Sequence, residues 1–341
     1  MSNARKLADN LPTDGQLGNR NLIINGAMNV AQRATSATGI GGSSGYHVCD
    51  RWSIGSSTTA GRLTMTQESD GPSGFANCTK LACTTADTSI AGAESMIFRQ
   101  LIEGQDLQRI CKGTSDAKEI TFSFYAKANA AATYTVELFD ANNSRQISKT
   151  FSVTTAWTRV SLTYPADTTG AFTDSNAAAL YVIIWLHAGS TYTSGTLNST
   201  SWAANVEANR VSGSQTSFLD STARTFFITG VQLEVGSQAT PFEHEPVGVT
   251  LSKCQRYYQL SHTNNQGYVN GQQHVGFRGT YRTEMRAAPT VTLTLNANNQ
   301  NNMTGAMNIH INTTHGYYGY VYAAAAGNYY YYYDSVSDAE L

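Results

Sequence analysis

Charge is the first thing this chain lacks. Only 13% of its 341 residues are charged, about half the usual share near 25%. Its 22 lysines and arginines against 24 aspartates and glutamates leave a formal net charge of −2, with no basic stripe of the kind a nucleic-acid partner requires. Cysteine stops at 5 residues (Cys49, Cys78, Cys83, Cys111 and Cys254), an odd number without metal-ligand spacing. They read as small buried hydrophobes, although Cys78 and Cys83 are near enough to pair if they face each other across a turn. The longest strongly apolar run, Ala177 to Ala188, is too short for a membrane-spanning helix. Met1 to Asn10 has no apolar stretch to read as a signal peptide.

Enzyme fingerprints are missing as well: there is no H-E-x-x-H, P-loop or dinucleotide-binding motif. Gly41-Gly42-Ser43-Ser44-Gly45 spells G-x-S-x-G, but a strand follows it where a nucleophile elbow needs a helix. Glu243, His244 and Glu245 are adjacent, so on a strand they point to opposite faces and do not converge on a metal. The expectation is a protein without catalysis.

What fills the gap is Ser, Thr, Asn, Gly and Ala, beside an apolar fraction of 41% that can build cores. Disorder pairs low hydrophobicity with high net charge, and this chain has neither. Its length predicts two domains. Ile120 to Phe124, Tyr134 to Leu138 and Val160 to Tyr164 alternate apolar and polar, the period of a strand with one wet face. Leu180 to Leu186 is continuously apolar and reads as a central strand covered on both faces. Turn clusters at Gly39 to Gly45, Ala141 to Ser144 and Ser212 to Ser214 separate such runs. The fold class is all-β, a jelly-roll sandwich followed by a smaller β-rich domain. A short helix is expected near Asp106 to Ile110, and another over Leu251 to Tyr258.

Two phrases bracket the first domain. One is Asn21-Leu22-Ile23-Ile24-Asn25-Gly26-Ala27-Met28-Asn29, followed by Asp50-Arg51-Trp52. The other is Thr225-Phe226-Phe227-Ile228-Thr229-Gly230-Val231-Gln232-Leu233-Glu234, closing on Ala239-Thr240-Pro241-Phe242-Glu243. Over roughly residues 20 to 260 these phrases, in this order, resemble bacteriophage virion proteins of the tail-fibre type that carry a carbohydrate-binding-module-like jelly roll. Met285 to Pro289 and the ending Asp338 to Leu341 resemble the same proteins. The boundaries expected are an N-terminal attachment arm at 1–20, the jelly roll at 21–245, a helical linker at 246–260 and a Tyr-rich β-domain at 261–341.

The resemblance implies glycan binding, in which sugar C–H faces stack on aromatic rings while amides and hydroxyls bond the O–H groups. Trp52, Trp157 and Trp185 lie at or within strands and read as core. Trp202 and Tyr192 fall in the Gly/Ser/Thr/Asn-rich stretch 189–217, where aromatics have fewer structural reasons to exist, so they are the jelly-roll ligand candidates. The second candidate surface is the tyrosine-rich tail, with Tyr317, Tyr318 and Tyr320 as ligand contacts beside His310 and His315. Tyr329, Tyr330, Tyr331, Tyr332 and Tyr333 on one strand must project to both faces, so one row packs at home and the other meets a subunit or a ligand. Jelly rolls of the resembling type often hold calcium through acidic residues of the last strand. Ile228-Thr229-Gly230-Val231 lacks the oxygen ligands calcium prefers, so no cofactor is expected, with Asn25, Glu234 and Glu243 the residual oxygen donors.

The expected role is a virion structural protein, a tail fibre recognising host-surface glycan. It would be a homo-oligomer, by resemblance a trimer, bound to other phage proteins through its arm, with neither nucleic acid nor membrane as partner. A decoration or connector protein and a glycan depolymerase are the alternatives.

Overall fold

The computed structural model describes residues 18–341, and most of the expected arm at 1–20 lies outside them. Strands make up 48% of the chain and helices 7%, as the all-β expectation requires. The chain divides into two compact units, 1–247 and 248–341.

The first unit runs β1 (Ser36–Ile40), β2 (Gly45–Tyr46), β3 (Ser53–Ser57), β4 (Arg62–Glu68), β5 (Cys78–Thr85) and β6 (Ser95–Glu103). A 3-10 turn at Gly104–Ile110 follows, then β7 (Ile120–Ala128), β8 (Ala132–Asp140), β9 (Arg145–Val153) and β10 (Thr158–Tyr164). After β11 (Ala178–Ala188) come β12 (Ala203–Ala204) and β13 (Thr225–Val235). Two antiparallel sheets result, one in the order β1-β4-β5-β13-β7-β10 and the other β12-β9-β8-β11-β6-β3-β2. This is the expected jelly-roll sandwich. Every second residue enters the core between them: Phe122 and Phe124 from β7, Tyr134, Val136 and Leu138 from β8, Val182 and Ile184 from β11. The continuous apolar run of β11 is explained by its other side, where Ile183 and Trp185 join a separate apolar cluster with Ile97 and Val211.

The two bracketing phrases hydrogen-bond to each other. Leu22 N–H donates to Leu233 O at 2.8 Å and Val231 N–H to Gly26 O at 2.9 Å. The Asn21 side chain bonds Val231 O and Leu233 N–H, and the Asn21 N–H donates to Glu243 Oε2. Gly230 takes a positive φ of 61° inside an irregularity of β13 between Thr229 and Gln232, the bulge position glycine suits. At Gly26 the backbones approach so closely that a Cβ would stand 2.1 Å from Val231 O. Gly26→Ala is therefore expected to destabilise the jelly roll by about 1–3 kcal/mol, read as a lower denaturation midpoint; an unchanged midpoint would show that the clamp is slack.

Cys78 and Cys83 lie on the same strand, β5, and all five cysteines are free thiols. The pairing across a turn therefore does not arise. Burial pushes the Cys49 thiol up to about 12, which keeps it protonated and unreactive.

The second unit carries a helix at Val247–Gln255 and then β14 (Tyr258–Val269), β15 (Gln273–Thr280), β16 (Thr290–Asn301), β17 (Met303–Asn312), β18 (Gly316–Ala323) and β19 (Gly327–Asp338). They form two three-stranded antiparallel sheets, β14-β19-β16 and β15-β18-β17. Val275, Phe277, Tyr317, Val321, Tyr331 and Tyr333 meet in the core of this unit.

Candidate functional site

In the first unit the segment 189–217 folds back over the outer face of the seven-stranded sheet. Ser148 N–H donates to Asn198 O, Thr216 N–H to Thr133 O and Val211 N–H to Tyr192 O. Arg210 anchors it, with its guanidinium 2.9 Å from Glu137 Oε1 and over the rings of Trp185 at 5.0 Å and Phe139 at 5.3 Å. Glu137 is fully buried and also accepts the Trp185 indole N–H at 2.8 Å. Burial pushes its carboxyl upward, against the opposing charge and hydrogen bonds of Arg210. With three N–H donors on it, this carboxylate is a structural node.

Tyr192 and Trp202 are not brought together. Tyr192 is half-buried against Trp185, ring centroids 5.0 Å apart. Trp202 is only 8% exposed and belongs to the main core. Its indole N–H donates to Pro165 O at 2.9 Å, and the Lys112 ammonium lies 5.5 Å from its ring. Trp202 is thus a core residue entering from a polar loop, and no sugar can stack on it. Trp52 is core as expected, stacked on Phe98. Trp157 is not: it is half-buried, donating to Asp70 and facing Lys127 at 5.2 Å. The calcium candidates have protein donors already: Glu234 accepts from Gln232 and Thr240, and Asn25 bonds Val30 and Asp50 O.

In the second unit the tyrosines sort by parity. Tyr317, Tyr331 and Tyr333 point inward and are buried, which removes Tyr317 from the ligand contacts and Tyr331 and Tyr333 from a subunit interface. Tyr318 is 47% exposed, and Tyr330 and Tyr332 are 41% and 46% exposed. Tyr320 is half-buried, stacked on His274 at 4.3 Å, and Tyr329 is half-buried beside Tyr331. His310 and His315 are exposed.

Tyr318 stands directly opposite Arg278 across the β15–β18 ladder. Its hydroxyl lies over Gly276, where an added Cβ would come within 3.0 Å. On one side is a depression of about 380 Å³ lined by Thr263, Asn264, Asn265 and Arg278. On the other is a more open one of about 610 Å³ lined by Thr280, Ile311, Thr313 and His315. An aromatic face, a guanidinium and short polar side chains thus line one surface, where the Asn265 amide already donates to Gly276 O and Tyr331 Oη. Arg278 and the Asn264–Asn265 pair were not singled out from the sequence. The signal was there: Val275 and Phe277 alternate with His274, Gly276 and Arg278, which puts Arg278 on the same outer face as Tyr318.

No protein-family model matches the chain, and neither does any curated protein. Among solved structures it is similar to a carbohydrate-binding module of family 4, at 12% identity and TM-score 0.32, over 62% of this chain and 98% of that one. It is similar to a family 61 carbohydrate-binding module solved with β-1,4-galactotriose, at 8% identity and TM-score 0.33, over 64% of this chain and 99% of that one. The enzymatically active domain of tailspike protein 4 of bacteriophage CBA120 matches at 13% identity and TM-score 0.33, over 63% of this chain but 21% of that one. Likeness at this level leaves the reading of the site to the chain's own geometry.

Proposed function

We propose that this is a bacteriophage virion protein of the tail-fibre type that binds glycan on the bacterial surface without cleaving it. The observation that carries the reading is Tyr318, exposed opposite Arg278 between two depressions lined with asparagine and threonine. A ring accepts the C–H face of a sugar, and the guanidinium and amides bond its hydroxyls. The phrases around residues 21–29 and 225–243 support the virion assignment. Single-site contacts of this kind are weak, and a trimer would multiply them through effective concentration. Glu234, a carboxylate a depolymerase would call on, is buried and held by Gln232 and Thr240, which favours binding alone.

Purified protein labelled with a fluorophore should bind host cells saturably, in competition with host polysaccharide, and leave polysaccharide size unchanged. Tyr318→Ala should weaken that binding by about 10–30-fold, the weight of a contact hot spot, at unchanged oligomer mass. Normal binding by Tyr318→Ala would remove this site, and a fall in polysaccharide size would make the protein a depolymerase. A decoration role is the second reading, favoured by exposed Tyr268, Tyr330 and Tyr332 on the β14-β19-β16 sheet, which a packing partner would cover. It predicts no cell binding and assembly onto phage particles only.

A further inference from the structure

We propose that Asp87, Glu94 and His187 form a binding site for a divalent transition-metal ion, zinc being the best fit, at one end of the jelly roll. The residues come from two distant parts of the chain: Asp87 and Glu94 from the connection between β5 and β6, His187 from the end of β11. One ligand atom from each lies within 4.8 Å of the others, and all three side chains are buried.

Three observations point to a cation rather than to a hydrogen-bond network. His187 is 0% exposed, and among the described residues its Nε2 has no hydrogen-bond partner, although it faces Glu94 Oε2 at 3.6 Å. Its Nδ1 is held at 2.8 Å from Ser217 Oγ, the outer-shell contact that orients a ligating imidazole and leaves Nε2 for the metal. Two carboxylates are buried together, and among the described residues no lysine or arginine stands within ion-pair distance of either. Buried charge of that kind needs compensation, and a divalent ion supplies it in one step.

The carboxylates are oriented as ligands should be. Thr59 Oγ1 and Ala60 N–H donate to Asp87 Oδ2 at 2.7 and 2.9 Å, and Ala91 N–H donates to Glu94 Oε2 at 2.9 Å. The donor set decides the ion. Calcium and magnesium take oxygen ligands, whereas one imidazole and two carboxylates suit zinc, which would keep its fourth position for water. A metal here would tie together the residue 59–61 turn, the β5–β6 connection, the end of β11 and the Ser217 loop.

The test uses the full chain, stripped with chelator, dialysed and titrated with zinc or with cobalt(II) as a spectroscopic probe. The expected result is one ion per chain, a higher melting temperature with zinc, and a cobalt spectrum of nitrogen and oxygen ligands without thiolate charge-transfer bands. Glu94→Gln keeps the side chain's shape and should weaken binding by more than the roughly 10–100-fold that loss of an outer-shell partner costs; His187→Gln should do the same. The proposal is overturned if the stripped wild type takes up no zinc, or if Glu94→Gln binds as tightly as wild type. Thiolate bands with cobalt overturn it too, by assigning the metal to cysteine. Should His187→Gln not fold, Glu94→Gln and the cobalt spectrum decide the matter without it.

Discussion

Lys112→Met is expected to lower the stability of the jelly-roll unit by about 3–5 kcal/mol, the usual loss when one partner of a buried ion pair is removed. The Lys112 ammonium is 2.6 Å from Asp140 Oδ2 and 3.0 Å from Asp167 Oδ2, and it also donates to Thr169 O and Gly170 O. Methionine would fill nearly the same volume while leaving Asp140, which is fully buried, without a cation from the described residues beside it. Arg145 holds Asp167 from another side at 2.8 and 3.0 Å, so that carboxylate would stay paired. The check is a denaturant midpoint at neutral pH with unchanged slope, and a shift under 1 kcal/mol would contradict the assignment. A pH dependence follows from the same cluster. Burial pushes the Asp167 carboxyl up, but hydrogen bonds from Arg145 and Lys112 outweigh it and hold the group below its ordinary range. A depressed carboxylate contributes stability above its unfolded value, about 3.9, and loses it as pH falls through the folded one. Asp167→Asn should flatten that acid limb.

Trp52→Ala is expected to cost about as much, on the order of 3–5 kcal/mol, through the cavity it leaves. Trp52 is wholly buried and stacks on Phe98 with centroids 4.7 Å apart and planes 8° from parallel. Its indole N–H reaches Asn25 O at 3.3 Å, so the ring also fixes the turn of the first bracketing phrase. For a unit of this size the melting temperature should fall by roughly 10 °C, and Trp52→Phe should recover part of the loss by refilling the space. A fall of only a degree or two would mean that the site collapses around the missing ring.

The strands were legible because period-two alternation is local: each residue of β7 or β8 declares its face by its own polarity and its neighbour's. The two bracketing phrases were legible as a pair, and the structure supplies the reason they occur together, since Asn21 bonds Val231 and Glu243 while Gly26 bonds Val231. Trp202 was misplaced because polarity of a loop reports its backbone, whereas the ring's burial in the main core, with its N–H on Pro165 O, is decided by contacts distant in sequence. Trp157, read as core, is half-buried because it precedes edge strand β10 and pairs with Asp70 and Lys127. Tyr317 and Tyr318 could not be told apart from composition, and only the register of β18 against β15 separates the buried ring from the exposed one. Asp87, Glu94 and His187 carry no spacing signal, because one connection and the end of a strand far along the chain bring them together.

The five tyrosines of β19 have a consequence for how the strand finds its place. Sliding the strand by one residue would replace nearly every ring by an identical one, so the run cannot tell its partners β14 and β16 which alignment is right. That information has to come from its flanks. Asp334 follows the last tyrosine on the exposed side, beside His262 at 2.6 Å, while Ser335 and Ser337 face inward. A slip would turn the Asp334 carboxylate into the core, where an unpaired charge is prohibitive. One acidic residue thus acts as punctuation for a stretch that otherwise reads the same in either frame.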